Sequence, residues 1–87
     1  MSRVEIYTTA ICPYCVAAKN FLKGRGFDYS ETRVDREPGK MAEMLQRSDG
    51  RRSVPQIFVN GVHVGGYDDL VAADRSGKLR ELTEESQ

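Results

Sequence analysis

The spacing of apolar residues changes several times along the chain, and each change predicts a new element. Arg3–Tyr7 alternates apolar and polar side chains, which is typical of a strand, and Thr8–Ile11 is interpreted as a loop. Val16–Leu22 carries a broad apolar stripe that predicts a helix, with two glycines just beyond it. Phe27–Val34 alternates more weakly and predicts a second strand. The first part of the chain is therefore expected to run strand, helix, strand.

A second helix is predicted after that strand. Glu37–Gly39 opens it, with Pro38 near its first position, where the missing N–H of proline costs no hydrogen bond. Ser48–Gly50 closes it. Its buried side is expected to carry three residues that fill the core: Met41, Met44 and Leu45.

A hairpin is predicted by Asn60-Gly61, because this dipeptide favours a type I′ turn. The turn joins two apolar runs, Gln56–Val59 and Val62–Gly65. Beyond the hairpin, Asp68-Asp69 is expected to cap a third helix through Leu70–Ala73.

The end of the chain completes the expected topology. Gly77 is expected to break the third helix, with a further turn over Lys78–Leu82 and fraying over Thr83–Gln87. The order β-α-β-α-β-β-α predicts an α/β fold with a four-stranded mixed sheet flanked by helices. It combines a parallel pair with a right-handed crossover and an antiparallel hairpin. Eighty-seven residues allow one domain, residues 1–87.

Charge and composition exclude several function classes. Thirteen Lys and Arg residues balance thirteen Asp and Glu residues, so no bulk field favours nucleic acid or an anionic membrane. No apolar run reaches transmembrane length, and no secretory segment precedes the first strand. Two cysteines, a balanced charge and no targeting segment fit a reducing cytoplasm, and a monomer is the default expectation. With 39% hydrophobic residues, the chain is expected to fold without a disulfide framework.

Both cysteines lie in Cys12-Pro13-Tyr14-Cys15, where the first loop gives way to a helix. A helix N-terminus favours negative charge, so Cys12 is expected to be an exposed and acidic nucleophile. Cys15 follows three residues later, within disulfide range. Because a low pKa chiefly helps a thiolate to leave a mixed disulfide, the pair predicts reversible thiol–disulfide exchange. Tyr14 is either a wall beside Cys12 or an ordinary surface aromatic residue.

Other interpretations of the cysteine pair fit less well. A structural disulfide closing so short a loop would add little stability. A zinc site normally needs four ligands, and the chain offers two cysteines and His63, which is expected to face solvent on the hairpin. No metal is therefore expected. Inert buried cysteines fit poorly with Pro and Tyr between them.

Two further segments are candidates for ligand binding. A cis bond before Pro55 would expose the Val54 backbone to a peptide-like ligand, although the sequence alone favours trans. The N–H groups of Gly66–Asp69 could hold a carboxylate, while Asp68 accepts from an ammonium group, caps the helix, or does both. A basic cluster that could bind another carboxylate, or simply be solvated, comprises Arg47, Arg51 and Arg52.

Three motifs in this order resemble those of bacterial dithiol glutaredoxins: Cys12–Cys15, Ser53–Phe58 and Gly65–Leu70. The resemblance runs from Val4 to about Leu82. It implies a thioredoxin-like fold, a cis bond in the second motif, and glutathione as co-substrate.

The resemblance also implies roles for single residues. Tyr14 and the Val54 backbone, next to Pro55, would contact the cysteinyl part of glutathione. The Tyr67 N–H group and the Asp68 side chain would hold its γ-glutamyl end.

The glycine carboxylate of glutathione would meet basic or amide groups, and here the chain departs from the family pattern. Many relatives carry Lys where this chain has Thr9, and Thr where it has Ser53. Thr9 keeps a hydrogen-bonding group but loses a charge. We therefore expect weaker glutathione binding unless Arg47 or Arg51 compensates.

The implied activity is glutathione-dependent reduction of protein disulfides and of glutathionylated proteins, with glutathione reductase regenerating glutathione. Cys12 would attack and Cys15 would resolve the mixed disulfide. Two rival functions are a small redoxin served by thioredoxin reductase, and an iron–sulfur carrier in which two copies share a [2Fe–2S] cluster. The Gly65–Asp69 segment argues against the first rival, and Pro13 argues against the second.

Overall fold

The computed structural model describes residues 3–84 and contains four strands and four helices within that range. In chain order, the elements are β1 (Val4–Thr8), α1 (Pro13–Gly24), β2 (Ser30–Arg33), α2 (Lys40–Arg47), β3 (Gln56–Val59), β4 (Val62–Gly65), α3 (Tyr67–Ser76) and α4 (Lys78–Glu84). The predicted order is confirmed through α3. The further turn expected after Gly77 is a helix, α4, which includes Thr83 and Glu84, and residues 85–87 lie outside the described range.

The four strands form a mixed sheet in the order β2-β1-β3-β4. β1 pairs in parallel with β2, with Ile6 opposite Glu31, and antiparallel with β3, with Ile6 opposite Ile57. β3 and β4 form the predicted hairpin, in which Asn60 (φ 51°) and Gly61 (φ 82°) both adopt left-handed conformations. Two positive φ angles are what a type I′ turn requires. The predicted sheet is therefore confirmed.

Two element boundaries differ from the sequence prediction, one because of strand pairing and one because of local backbone conformation. The second strand is limited to Ser30–Arg33, the residues that pair with β1. The helix α2 begins at Lys40, after Gly39 in the left-handed conformation (φ 79°), so Pro38 precedes the helix rather than occupying its first turn.

Two apolar clusters cover the two faces of the sheet. The larger cluster joins β1 and β3 to three helices, through Val4, Ile6, Ala18, Leu22, Ile57, Val59, Leu70, Leu79 and Leu82. The smaller cluster lies under α2 and comprises Tyr7, Val34, Met44 and Phe58. Of the three residues expected on the buried side of α2, Met44 is fully buried, Leu45 is half-buried and Met41 is 37% exposed. Within residues 3–84, none of the helices is long and apolar enough to span a membrane.

Candidate functional site

Cys12 is the N-cap of α1, and Pro13 is the first residue of the helix. The Cys12 sulfur accepts a hydrogen bond from the Cys15 N–H group at 3.1 Å, and the Cys12 carbonyl accepts one from Val16 at 3.1 Å. The helix thus begins inside the cysteine motif, as predicted, three residues before the apolar stripe itself. Its first turn points an N–H group, which would otherwise lack an intrahelical partner, at the sulfur that the sequence predicts to be the thiolate.

The two cysteines are joined as a disulfide, with their Cα atoms 5.2 Å apart. Cys12 is half-buried, whereas Cys15 is 1% exposed. The first turn of α1 contains no acidic residue that would oppose a thiolate. The pair can thus interconvert between dithiol and disulfide, and an external disulfide can reach only Cys12.

A cleft of about 230 Å³ lies beside the motif. It is lined by Tyr14, Ser53, Val54, Pro55, Tyr67 and Asp68. The structure therefore brings together five residues predicted from the sequence for glutathione. A larger depression of about 580 Å³ lies along α3 and shares Tyr67 and Asp68 with this cleft, but no residue of the cysteine motif or of Ser53–Pro55 lines it.

Two contacts shape the cleft next to the sulfur of Cys12. The Val54 carbonyl oxygen lies 3.7 Å from Cys12 Sγ, and the Val54–Pro55 bond is cis, as the family resemblance implies. The rings of Tyr14 and Tyr67 lie 6.0 Å apart, centroid to centroid. Tyr14 is 63% exposed, so it forms an open wall of the cleft.

The N-terminus of α3 differs from the prediction. Its N-cap is Gly66, and the Asp69 carboxylate accepts the Gly66 N–H at 2.9 Å. The expectation that Asp68 caps this helix is therefore wrong, since Asp68 lies inside its first turn. The spacing from Gly66 to Asp69 is that of a capping box and could have indicated this arrangement. Within residues 3–84, the Asp68 carboxylate has no hydrogen-bond partner.

Asp69 carries a low pKa, chiefly because its carboxylate accepts the Gly66 N–H and secondarily because Arg51 donates to it. The Arg51 guanidinium lies 3.3 Å from that carboxylate. A Cβ on Gly65 would collide with the Asp69 carboxylate, and Gly65 has a φ of 119°, so this position requires glycine. These contacts fix the turn from β4 into α3.

The three arginines of the basic cluster have different surroundings. Arg47 donates to Glu5 at 3.1 Å and to the Tyr7 hydroxyl at 2.7 Å, which keeps its pKa above the ordinary value. Arg51 is paired with Asp69. In the part of the chain that the structure describes, the exposed Arg52 has no ion-pair partner. The sequence could not reveal this difference, because Glu5 lies far from Arg47 along the chain.

The loop before the cysteine motif is held by Asp35. Its carboxylate accepts the Ala10 N–H at 3.1 Å and pairs with the Arg33 guanidinium at 2.8 Å. Arg33 is the main cause that lowers the pKa of Asp35 to about 2. Thr9, in the same loop, is half-buried and has no side-chain hydrogen bond among residues 3–84.

His63 is half-buried rather than facing solvent, which corrects the sequence expectation. Its Nε2 lies 2.7 Å from the amide oxygen of Gln56, a fully buried residue of β3. Burial, followed by the charge of Arg51, lowers the pKa of the His63 imidazole.

A thioredoxin-like sheet with a redox cysteine pair at the N-terminus of α1 defines a thiol–disulfide oxidoreductase. Residues 4–64 match the family model described as Glutaredoxin. The chain is 48% identical over 82 residues to Glutaredoxin 3 of Escherichia coli (strain K12), covering 94% of this chain and 98% of that protein. It is 50% identical over 82 residues to a Pseudomonas aeruginosa glutaredoxin, covering 94% and 96%.

Solved structures agree with these relatives. The solution structure of a Brucella melitensis glutaredoxin superimposes with a TM-score of 0.81 at 45% identity, covering 98% of this chain and 91% of that one. A crystal structure of a buckwheat glutaredoxin–glutathione complex gives a TM-score of 0.83 at 31% identity, covering 97% and 78%. The chain belongs to the glutaredoxin family. The predicted fold and the predicted activity of a glutathione-dependent thiol–disulfide oxidoreductase are thereby confirmed.

Proposed function

We propose that Cys12 is the attacking thiolate and Cys15 the resolving thiol of this oxidoreductase. The observation that carries the assignment is their unequal exposure: Cys12 is half-buried at the helix N-terminus, whereas Cys15 is 1% exposed behind it. A bulky disulfide meets Cys12 first. The helix dipole and the Cys15 N–H group stabilise the thiolate there.

In the one-cysteine route, the Cys12 thiolate attacks the glutathione sulfur of a glutathionylated protein. The Cys12–glutathione disulfide forms as the protein–glutathione bond breaks, and the protein leaves as a thiolate that takes up a proton. A second glutathione thiolate then attacks the glutathione sulfur on Cys12. Oxidised glutathione leaves and the Cys12 thiolate returns.

In the two-cysteine route, Cys12 attacks a protein disulfide and releases one protein thiolate. The Cys15 thiol loses its proton and attacks Cys12, which releases the second protein thiolate and forms the Cys12–Cys15 disulfide. Two glutathione molecules reduce that bond in succession, through a Cys12–glutathione intermediate. The electron pair passes to the substrate, and oxidised glutathione is the other product.

Glutathione is proposed to lie in the cleft beside the motif. Tyr14 and the backbone of Val54, next to Pro55, would flank its cysteinyl part, while the Tyr67 N–H and the Asp68 carboxylate would hold its γ-glutamyl end. The unpaired Asp68 carboxylate and the position of Val54 next to Cys12 support this placement. The glutathione complex of the buckwheat relative supports the choice of ligand.

The glycine carboxylate of glutathione is proposed to meet Thr9 and the basic cluster. Arg51 and Arg47 are already paired with Asp69 and with Glu5, so either would share its guanidinium with the ligand. Arg52 immediately precedes the Ser53–Pro55 segment and has no ion-pair partner among residues 3–84, so it joins the candidates.

The wider setting is also part of the proposal. Residues 1–87 would act as one domain and as a monomer in a reducing cytoplasm, where glutathione reductase keeps glutathione reduced. The protein partners would be glutathionylated or disulfide-containing proteins.

The assignment of the two cysteines is tested by trapping the intermediate. Cys15→Ser treated with oxidised glutathione should gain one glutathione, and peptide mapping by mass spectrometry should place it on Cys12. Cys12→Ser is the matched control and should gain none under the same conditions. An adduct on Cys15 of the Cys12→Ser variant that forms as fast as the adduct on Cys12 of Cys15→Ser would contradict the assignment.

A further inference from the structure

Gln56 is fully buried at the start of β3, directly after the segment that lines the cleft. Its amide nitrogen donates to the Ser53 carbonyl oxygen at 2.9 Å and lies 3.3 Å from the Ser53 hydroxyl. Its amide oxygen lies 2.7 Å from His63 Nε2 on β4. One buried side chain thus connects the far strand of the hairpin with the wall of the cleft.

These contacts fix the orientation of the Gln56 amide. A carbonyl oxygen can only accept, so the amide nitrogen must face Ser53 and the amide oxygen must face His63. His63 must therefore donate through its Nε2–H group. A reversed amide would place two acceptors against each other at Ser53.

His63 is itself held in place by an aromatic contact. Its ring lies 4.9 Å from the Phe58 ring, with a 31° angle between the planes, and the Arg47 guanidinium lies 4.1 Å above Phe58. A ring restrained on one side by Phe58 presents its Nε2–H to Gln56 in one direction.

We propose that His63, acting through Gln56, is a positioning residue for Ser53 and Val54 and hence for bound glutathione. This inference rests on the proposed function, in which the Val54 backbone flanks the ligand. The three residues His63, Gln56 and Ser53 form a relay that makes no hydrogen bond to either cysteine among residues 3–84. The relay therefore acts first on the cleft wall and on how well glutathione binds, and it reaches Cys12 only through the Val54 carbonyl oxygen, 3.7 Å from the sulfur.

The first test replaces the donor and keeps the ring. His63→Phe preserves stacking on Phe58 but leaves the buried Gln56 oxygen without its donor. The apparent KM for glutathione should rise about fivefold, the factor that corresponds to one neutral hydrogen bond, and kcat should change less than KM. His63→Gln restores an N–H donor and should recover most of the KM. Val62→Thr, on the same strand but 44% exposed, is the matched control and should leave both constants unchanged.

A double-mutant cycle tests whether Gln56 carries the effect. Gln56→Met removes the relay at its centre, so adding His63→Phe in that background should raise the KM no further. Additive effects would overturn the relay. An unchanged KM for glutathione in His63→Phe would also overturn it. So would a result in which His63→Phe and His63→Gln lose kcat and melting temperature to the same extent.

The proposed function and the relay can fail separately. If the wild type shows no glutathione-dependent turnover, the proposed function fails. If the wild type is active and His63→Phe is unaffected, only the relay is refuted.

Discussion

Cys12 and Cys15 lie three residues apart, yet only one of them is accessible to a partner. Pro13 begins the helix and the Cys15 N–H group points at the Cys12 sulfur. In the proposed mechanism this difference in exposure assigns the roles: Cys12 meets the external disulfide, and Cys15 acts only on a bond that Cys12 has already formed.

Cys15→Ser should separate the two routes. Deglutathionylation needs only Cys12, so its rate should stay within about twofold of the wild type, since the reacting atoms are unchanged. Reduction of a protein disulfide needs Cys15 to release the trapped partner and should stop. Both rates are measured by coupling glutathione oxidation to NADPH consumption. Equal loss of both activities would contradict the assigned roles.

Thr9 stands where the family resemblance leads us to expect lysine, and unlike Ser53 it removes a charge from the proposed glutathione site. Thr9→Lys should lower the apparent KM for glutathione about twofold to fivefold, because an exposed ion pair contributes about 0.5–1 kcal/mol. The gain should shrink in high salt. Thr9→Ser, which adds no charge, is the matched control. An unchanged KM in Thr9→Lys at low salt would refute a role for charge at this position.

At the scale of elements, the start of α3 depends on one carboxylate. Asp69→Asn weakens both the cap on Gly66 and the pairing with Arg51. The free energy of unfolding should fall by about 0.5–1 kcal/mol at pH 7, measured by urea titration. Asp68→Asn, a neighbour without a hydrogen-bond partner among residues 3–84, is the matched control and should change stability little.

The same variant gives a pH dependence whose sign follows from the lowered pKa of Asp69. A carboxyl group with a depressed pKa in the folded state stabilises the protein above its unfolded pKa, near 3.8. That contribution disappears as the pH falls through the folded pKa. The difference in stability between wild type and Asp69→Asn should therefore be constant from pH 7 to about pH 5 and shrink below pH 3.8. A difference that grows on acidification would contradict this account.

The elements that the sequence predicted well are those specified by neighbouring residues. Asn60-Gly61 defines its own turn, and Pro13 together with Cys12 defines the start of α1. The elements predicted poorly depend on distant partners. Pairing with β1 sets the limits of β2. Arg47 forms an ion pair with Glu5, which lies on a strand 42 residues earlier in the chain.

At the scale of the whole molecule, the central strand β3 connects stability with function. Its four residues are all buried. Ile57 and Val59 belong to the larger apolar cluster and Phe58 to the smaller one. Gln56 donates a hydrogen bond to Ser53, which lines the cleft. The cleft also draws on α1, on the segment before β3 and on α3, so its geometry depends on the packed sheet.

Ile57→Ala should destabilise the whole fold by about 2–5 kcal/mol, because it leaves a cavity at a fully buried position of β3. Thermal unfolding should show a large fall in melting temperature. Val62→Ala on the paired strand, where the side chain is 44% exposed, is the matched control and should shift it little. Equal shifts in the two variants would contradict the assignment of Ile57 to the core.

The most direct test of the central claim is turnover of a glutathione mixed disulfide, with NADPH consumption coupled through glutathione reductase. The wild type and Cys12→Ser are compared side by side, with and without glutathione. We predict turnover that requires both glutathione and Cys12. Turnover that persists in Cys12→Ser would contradict the account, as would activity supported by thioredoxin reductase and not by glutathione.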